Sequence, residues 1–263
     1  MKNSLVLFIA AVLFSCNNNS GTDAAKPSAS AKTTEAKTDV GSGVSSGNCG
    51  KLVVFQKGAI IEGKNYDGNG KEVSSQTTTV TGVKNDNGIT VAEADISSTI
   101  TAGKPPMHIQ YKCDGKNLFM DIGAMLSNFS ALKGASAVAS SLSFPINLSV
   151  GEKLPDASLS VAMKRGDIDM KVKTTYKNRM VEGKESVTTS AGTWNCFKIS
   201  ADIVSDVDMG GDKAKSRMAE MLKKSVPVQK SIIWFAPDFG LVRMEMHSGD
   251  RLMTRTDITG VKK

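Results

Sequence analysis

Histidine is almost missing from this chain: two in 263 residues, which excludes a multi-histidine metal centre. Four cysteines are too few and too scattered for a cysteine-rich zinc module or a disulfide-dense miniprotein. Aromatic residues make up only 5%, so the stacking platforms of RNA-binding folds are not supplied. Glycine and proline, at 24 and 7, stand near ordinary levels and exclude collagen-like repeats and wholesale disorder. No apolar run reaches the roughly 20 residues that a membrane-crossing helix needs.

What is present begins at the N-terminus. Lys2 precedes an unbroken apolar run from Leu5 to Phe14. That length suits the core of a signal peptide. Leu13-Phe14-Ser15-Cys16 follows and resembles a bacterial lipobox, in which the cysteine becomes the lipidated N-terminus of the mature chain. The reading is a lipoprotein signal peptide over 1–15, lipidation at Cys16, and a membrane held through acyl chains, each buried CH₂ contributing about 0.8 kcal/mol. By analogy with lipoprotein sorting, Asn17-Asn18-Asn19 carries neither an inner-membrane retention Asp nor an acidic export cluster. The expected location is the cell envelope of a Gram-negative-type bacterium, on the periplasmic face of the outer membrane.

Residues 17–48 are mostly Asn, Ser, Thr, Gly, Ala and Lys, without an aromatic residue and with Val40 and Val44 far apart. They carry too little apolar area to offset ordering entropy, so 16–48 reads as the lipidated cysteine and a disordered tether. Its Lys26, Lys32 and Lys37 cancel Asp23, Glu35 and Asp39, so the basic excess of the chain (net +7) lies on the remainder. Gly43-Val44-Ser45-Ser46-Gly47 fits the G-x-S-x-G pattern of hydrolases, but both flanks are low in complexity and supply no strand or helix to strain a nucleophile turn.

From Cys49 onward the period is two. Met107, Ile109, Tyr111 and Cys113 alternate with His108, Gln110 and Lys112. Leu159, Val161 and Met163 alternate with Ser160 and Ala162; Ile168, Met170 and Val172 with Asp169 and Lys171; Phe197, Ile199, Ala201 and Ile203 form a fourth run. This pattern is antiparallel sheet with one buried face. Asp67-Gly68-Asn69-Gly70, Asn85-Asp86-Asn87-Gly88, Asp114-Gly115 and Ser248-Gly249-Asp250 are hairpin turns by composition. Two segments depart from the period. Residues 123–142, with Met125, Phe129, Leu132, Val138 and Leu142, have helical spacing. In 212–224, Asp212 caps a helix with Ala214, Met218, Met221 and Leu222 on one face and Lys213, Lys215, Arg217, Lys223 and Lys224 on the other. The fold expected for 49–263 is a single mainly-β domain: a strongly curved antiparallel sheet or half-barrel with one or two helices on its concave face.

The same blocks resemble the TapB family of bacterial envelope proteins. They are Phe55-Gln56-Lys57-Gly58, Tyr66-Asp67-Gly68-Asn69-Gly70-Lys71, Tyr111-Lys112-Cys113-Asp114-Gly115, Val150-Gly151-Glu152-Lys153-Leu154-Pro155, Asn178-Arg179-Met180-Val181-Glu182-Gly183, Gly192-Thr193-Trp194-Asn195-Cys196-Phe197 and Trp234-Phe235-Ala236-Pro237-Asp238-Phe239-Gly240. The resemblance implies a half-barrel related in shape to periplasmic lipoprotein carriers, and it brings no activity and no catalytic residues. Read physically, Trp194 and Trp234 are core candidates, and Gly192 and Gly240 suit turns entering strands.

With Cys16 lipidated, Cys49, Cys113 and Cys196 remain, and an oxidising envelope favours a bridge between two of them. The pairs 49–113, 49–196 and 113–196 are all open; Cys49 and Cys113 flank strand ends, which favours that pair. His108 and His247 read as solvated imidazoles. Asp167 and Asp169 share a face with Lys171 and Lys173, which points to cross-strand charge pairing ahead of cation binding. Gly210-Gly211 lacks the Lys-Ser/Thr continuation of a phosphate loop. No catalytic residue, metal or cofactor is assigned, and nucleic acid is not an expected partner. Two functions remain. One is a binding module holding a hydrophobic ligand or lipid, with Met209, Met244 and Met246 among its lining and Lys213, Arg217, Met218, Met221 and Leu222 as ligand or membrane contacts. The other is a structural lipoprotein that contacts other envelope proteins. An interior without a cavity of about 300 Å³ would favour the second.

Overall fold

The computed structural model describes residues 47–121, 136–139, 142–165, 168–209, 220 and 229–263. The leader, Cys16, the tether up to residue 46, and 210–219 with 221–228 lie outside the described residues, and with them Lys213, Arg217, Met218, Met221 and Leu222.

Among the described residues, two 3₁₀ turns, Gly47–Lys51 and Val53–Phe55, precede thirteen strands. These are β1 (Ile60–Asp67), β2 (Glu72–Asp86), β3 (Ile89–Ser98), β4 (Met107–Cys113), β5 (Asn117–Asp121), β6 (Ser136–Ala139), β7 (Leu142–Pro145), β8 (Ala157–Arg165), β9 (Ile168–Thr189), β10 (Gly192–Asp208), β11 (Gln229–Ala236), β12 (Gly240–Ser248) and β13 (Arg251–Lys262). They form one antiparallel sheet in the order β6-β8-β9-β10-β11-β12-β13-β1-β2-β3-β4-β5-β7. All four compositional turns are hairpin connections in this sheet. At the β2–β3 turn Asn87 and Gly88 both take positive φ, 51° and 85°, which matches the twist of the flanking strands.

The sheet curls until its two edges nearly meet. Its edge strands β6 and β7 are neighbours in sequence, Ala139 and Leu142 being three positions apart. Arg179 of β9 spans the seam. Its guanidinium donates to the Ser143 carbonyl of β7 at 2.6 Å and to the Pro155 carbonyl at 2.9 Å, and it lies over the Phe144 ring. Leu154 N–H donates to the Arg179 carbonyl, and Val181 N–H to the Glu152 carbonyl, so the β7–β8 connection is stitched to the same strand. Register shifts in β1, β2, β10, β11 and β12 give the long strands the extra coil that closure requires.

Alternation decides which face is inside. In β4, Met107, Ile109, Tyr111 and Cys113 are buried, while His108, Gln110 and Lys112 are half-buried on the outside. Phe197, Ile199, Ala201 and Ile203 of β10 point inward in the same way. The mainly-β curved sheet is the observed architecture, and it goes further round than a half-barrel.

The helices expected on its concave face are corrected in part. Val138 and Leu142, placed by spacing in a helix, lie in β6 and β7. Both stretches find ladder partners on the sheet edges, and that pairing overrides a loose helical spacing of Ala and Ser. Residues 122–135 are outside the described residues. Among the described residues, the segment Gly47–Phe55 packs against the interior: Cys49, Leu52, Val53 and Phe55 are buried in the main core with Ile109, Phe144 and Phe235. The Cys49–Cys113 disulfide, with Cα atoms 6.0 Å apart, holds it there. Val53 N–H donates to the Phe239 carbonyl and Gly58 N–H to the Val80 carbonyl, so the segment closes one end of the barrel.

Candidate functional site

Inside the barrel lies a cavity of about 190 Å³. Its floor is Val53 and Val54 of the closing segment. Its walls include Ile61, Ile96, Ile109, Phe144, Phe235 and Ile258, contributed by strands all around the sheet. Met244 and Met120 add adaptable thioether surface. Among the described residues, the polar lining is Gln76, Thr78, Tyr111 and Tyr176. Burial pushes both tyrosine hydroxyls up to about 12, so they stay neutral. Among the described residues that line it there is no Asp, Glu, Lys, Arg or His.

The interior changes character along the barrel axis. On β1 the inward residues run Ile61, Gly63, Asn65; on β2, antiparallel to it, Val80, Thr78, Gln76, Ser74; on β13, Ile258 then Thr256; on β11, Phe235, Ile233, Ser231, Gln229. Each strand passes from apolar at the closed end to polar at the other. Part of that polar end is self-satisfied. Thr256 Oγ1 donates to Asn65 Oδ1 at 2.6 Å, and Asn65 Nδ2 donates to Ser74 Oγ at 3.2 Å.

The remaining residues singled out by sequence are dispersed. Cys49 and Cys113 are joined; Cys196 is free and fully buried. Burial, together with the nearby Glu185 carboxylate, pushes its thiol up to about 11, so it is a thiol and not a thiolate at neutral pH. Trp234 and Trp194 are not in the main core. With Val187, Cys196, Ala236 and Val242 they form a second apolar cluster, where the Trp234 indole N–H donates to Glu185. Lys198 and Arg243 lie over the Trp234 ring. His108 is no free imidazole: Nδ1 meets Asp95 at 3.0 Å and Nε2 meets Glu93 at 2.8 Å. His247 pairs with Glu245 at 3.0 Å. Asp169 stands opposite Lys164 on β8, and Lys171 and Lys173 stand opposite Asp208 and Asp206 on β10, a cross-strand arrangement of opposite charges, while Asp167 lies outside the described residues. Met209 and Met246 are buried, and Met244 lines the cavity. Among the described residues no three His, Cys, Asp or Glu side chains gather as a metal site, and no helix is long and apolar enough to cross a membrane.

Sequence reasoning missed Gln76, Thr78 and Tyr176. The run Ser74-Ser75-Gln76-Thr77-Thr78-Thr79 is polar at every position, so its period of two carries no hydrophobic signal.

Residues 56–258 match the DUF3108-like family. Two solved structures share the architecture. A protein from Bacteroides fragilis, provisionally described as exported and as having a YmcC-like fold, superposes with a TM-score of 0.59 at 18% identity, over 81% of this chain and 99% of that one. A protein from Parabacteroides distasonis, provisionally described as a lipoprotein, gives a TM-score of 0.57 at 20% identity, over 79% of this chain and 96% of that one. At such identities the likeness concerns the fold. No curated protein matches the sequence.

Proposed function

The chain belongs to the DUF3108-like family, and from that footing we propose that it is an exported, lipid-anchored barrel protein of the cell envelope that holds a slim apolar ligand in its interior. The observation that carries this reading is the apolar cavity of about 190 Å³ inside the curled sheet, closed at one end by the disulfide-held segment. An apolar cavity of about 150 Å³ stays dry and accepts a benzene-sized guest, whereas sites for drug-sized ligands start near 300 Å³. The size therefore supports one hydrocarbon chain end, and not a whole diacyl lipid.

Export and anchoring are supported by the lipobox ending at Cys16 and by the descriptions of the two structural neighbours as exported and as a lipoprotein. The periplasmic face of the outer membrane follows from the residues after Cys16 alone, and the TapB name from the sequence blocks alone. A role without bond-making is supported by the described lining residues, whose only titratable groups, Tyr111 and Tyr176, stay neutral.

A second reading is a structural lipoprotein that contacts other envelope proteins and carries no ligand. It is favoured by a cavity smaller than the 300 Å³ that a carrier was expected to need. Native mass spectrometry of the purified protein separates the two. Protein that co-purifies with one apolar molecule per chain is the expected result. Chain that is empty in repeated preparations from envelope extracts would leave the structural role.

A further inference from the structure

Building on the reading of the cavity as a ligand site, we propose that its ligand is an uncharged amphiphile with a hydroxyl group, bound tail-first toward the Cys49–Phe55 segment with the hydroxyl at Gln76. Gln76 lies where the interior passes from apolar to polar, and its side chain lines the cavity. Its Oε1 atom is fully buried and has no hydrogen-bond partner. Across the β1–β2 pairing stands Gly63, opposite Gln76 in register. A Cβ at that glycine would come within 3.3 Å of Gln76 Cγ and Nε2, so the missing side chain makes room for the carboxamide to lie over β1.

A second orphan points the same way. Ser231 is 2% exposed, faces inward on β11 two residues from the cavity-lining Ile233, and its Oγ has no partner. Buried polar side-chain atoms are nearly always hydrogen-bonded, so the unsatisfied Gln76 Oε1 in the lining calls for a polar group that arrives with the ligand, and Ser231 Oγ, beyond the lining on β11, is a second unsatisfied atom on the polar side of the interior. By contrast, Asn65, Ser74 and Thr256 on the same end already satisfy one another.

Charge selects the group. A carboxylate only accepts hydrogen bonds, so it cannot satisfy Gln76 Oε1, and among the described lining residues it would be buried with no cation beside it. An ammonium would donate but would be buried without a counter-charge. A hydroxyl donates to Oε1 and still accepts, and it is neutral. The apolar tail then has Ile61, Ile109, Phe144 and Phe235 around it and Val53 beneath.

The test compares octan-1-ol, octanoate and octane as competitors of a neutral fluorescent apolar probe at pH 8. The full chain carries Cys16→Ser, so that no acyl group of its own competes. Octan-1-ol should bind about tenfold more tightly than either of the others, the scale of one buried group left unpaired. In Gln76→Leu the preference of octan-1-ol over octane should vanish. Octanoate or octane binding as tightly as octan-1-ol in the Cys16→Ser chain overturns the proposal while leaving an apolar ligand site in place. The hydroxyl assignment also fails if Gln76→Leu folds and keeps the preference. Failure of all three to displace the probe overturns the ligand site itself. The competitor series needs no change at Gln76 and so decides even if that variant does not fold.

Discussion

His108 shows how far a single side chain can depart from its sequence reading. Alternation puts it on the outer face of β4, where it is expected to be solvated, and it is 46% exposed. Register then sets it opposite Asp95 and within reach of Glu93, with Gln110 donating to Glu93 at 2.7 Å. The hydrogen bond to Asp95 raises the imidazole above its ordinary 6.5, burial opposes, and Glu93 adds to the rise. Glu93 is held below its ordinary 4.5: burial pushes upward, and hydrogen bonds from Gln110 and His108 outweigh it. A group with a raised folded-state value stabilises fully below its unfolded value and loses that contribution as pH climbs through the folded one. The cluster therefore contributes most between about pH 4.5 and 6.5 and weakens above. Comparing denaturant midpoints, wild type should exceed His108→Gln by a larger margin at pH 6 than at pH 9. Equal margins at the two pH values would show that the imidazole carries no net interaction with the two carboxylates. Half exposure keeps the effect small.

At the scale of elements, closure of the sheet is the least local event in the fold. The hairpins β1–β2, β2–β3, β4–β5 and β12–β13 are short-range, and their turns are legible in composition. The approach of β7 to β9 is not, because nothing in a strand's period says where a sheet edge ends up. Arg179 performs that joining, in a nearly buried position where two carbonyls and an aromatic face replace water. Burial lowers its basicity from the ordinary value while leaving it a cation. Arg179→Met keeps much of the apolar stem and removes both hydrogen bonds, leaving the Ser143 and Pro155 carbonyls without this donor. A loss of about 2–4 kcal/mol of stability is expected by chemical denaturation, with the amides of β7 the first to gain hydrogen exchange. A loss below about 0.5 kcal/mol would show that the seam is held elsewhere. The opposite end is secured covalently: the disulfide closes a loop of 64 residues in sequence separation, a constraint of about 2–4 kcal/mol on the unfolded chain.

At the scale of the whole molecule, the proposal is a body that stays in water while acyl chains hold it to a membrane. No described helix is long and apolar enough to cross a membrane, and the proposed anchor is the lipobox residue Cys16. Changing Cys16→Ser should move most of the protein from the membrane pellet to the soluble fraction after cell disruption, with the near-ultraviolet circular dichroism of the barrel unchanged. Retention in the pellet at the wild-type level would contradict lipidation at this residue. Basic residues on the folded portion add at most a screened attraction to anionic lipid, about 1 kcal/mol for each one near the surface, which salt would reveal by releasing the variant further.

Local physics determined what could be read along the chain. The inward rows of β4 and β10, the four hairpin turns and the mainly-β class follow from period and turn chemistry, because each depends only on residues a few positions apart. Cys49 and Cys113 were recognisable as one of three candidate pairs, and only the docking of Gly47–Phe55 into the barrel brought them together. Gln76, Thr78 and Ser231 were invisible as site residues, since a polar residue in a polar run gives no sign of facing inward. Their place depends on the curl of the whole sheet, which turns one face of every strand toward a common interior. For the same reason Trp194 and Trp234, large and apolar, read as core yet lie in a separate cluster. Hydrophobicity tells a side chain to leave water, and only the assembled sheet decides which of its two faces takes it in.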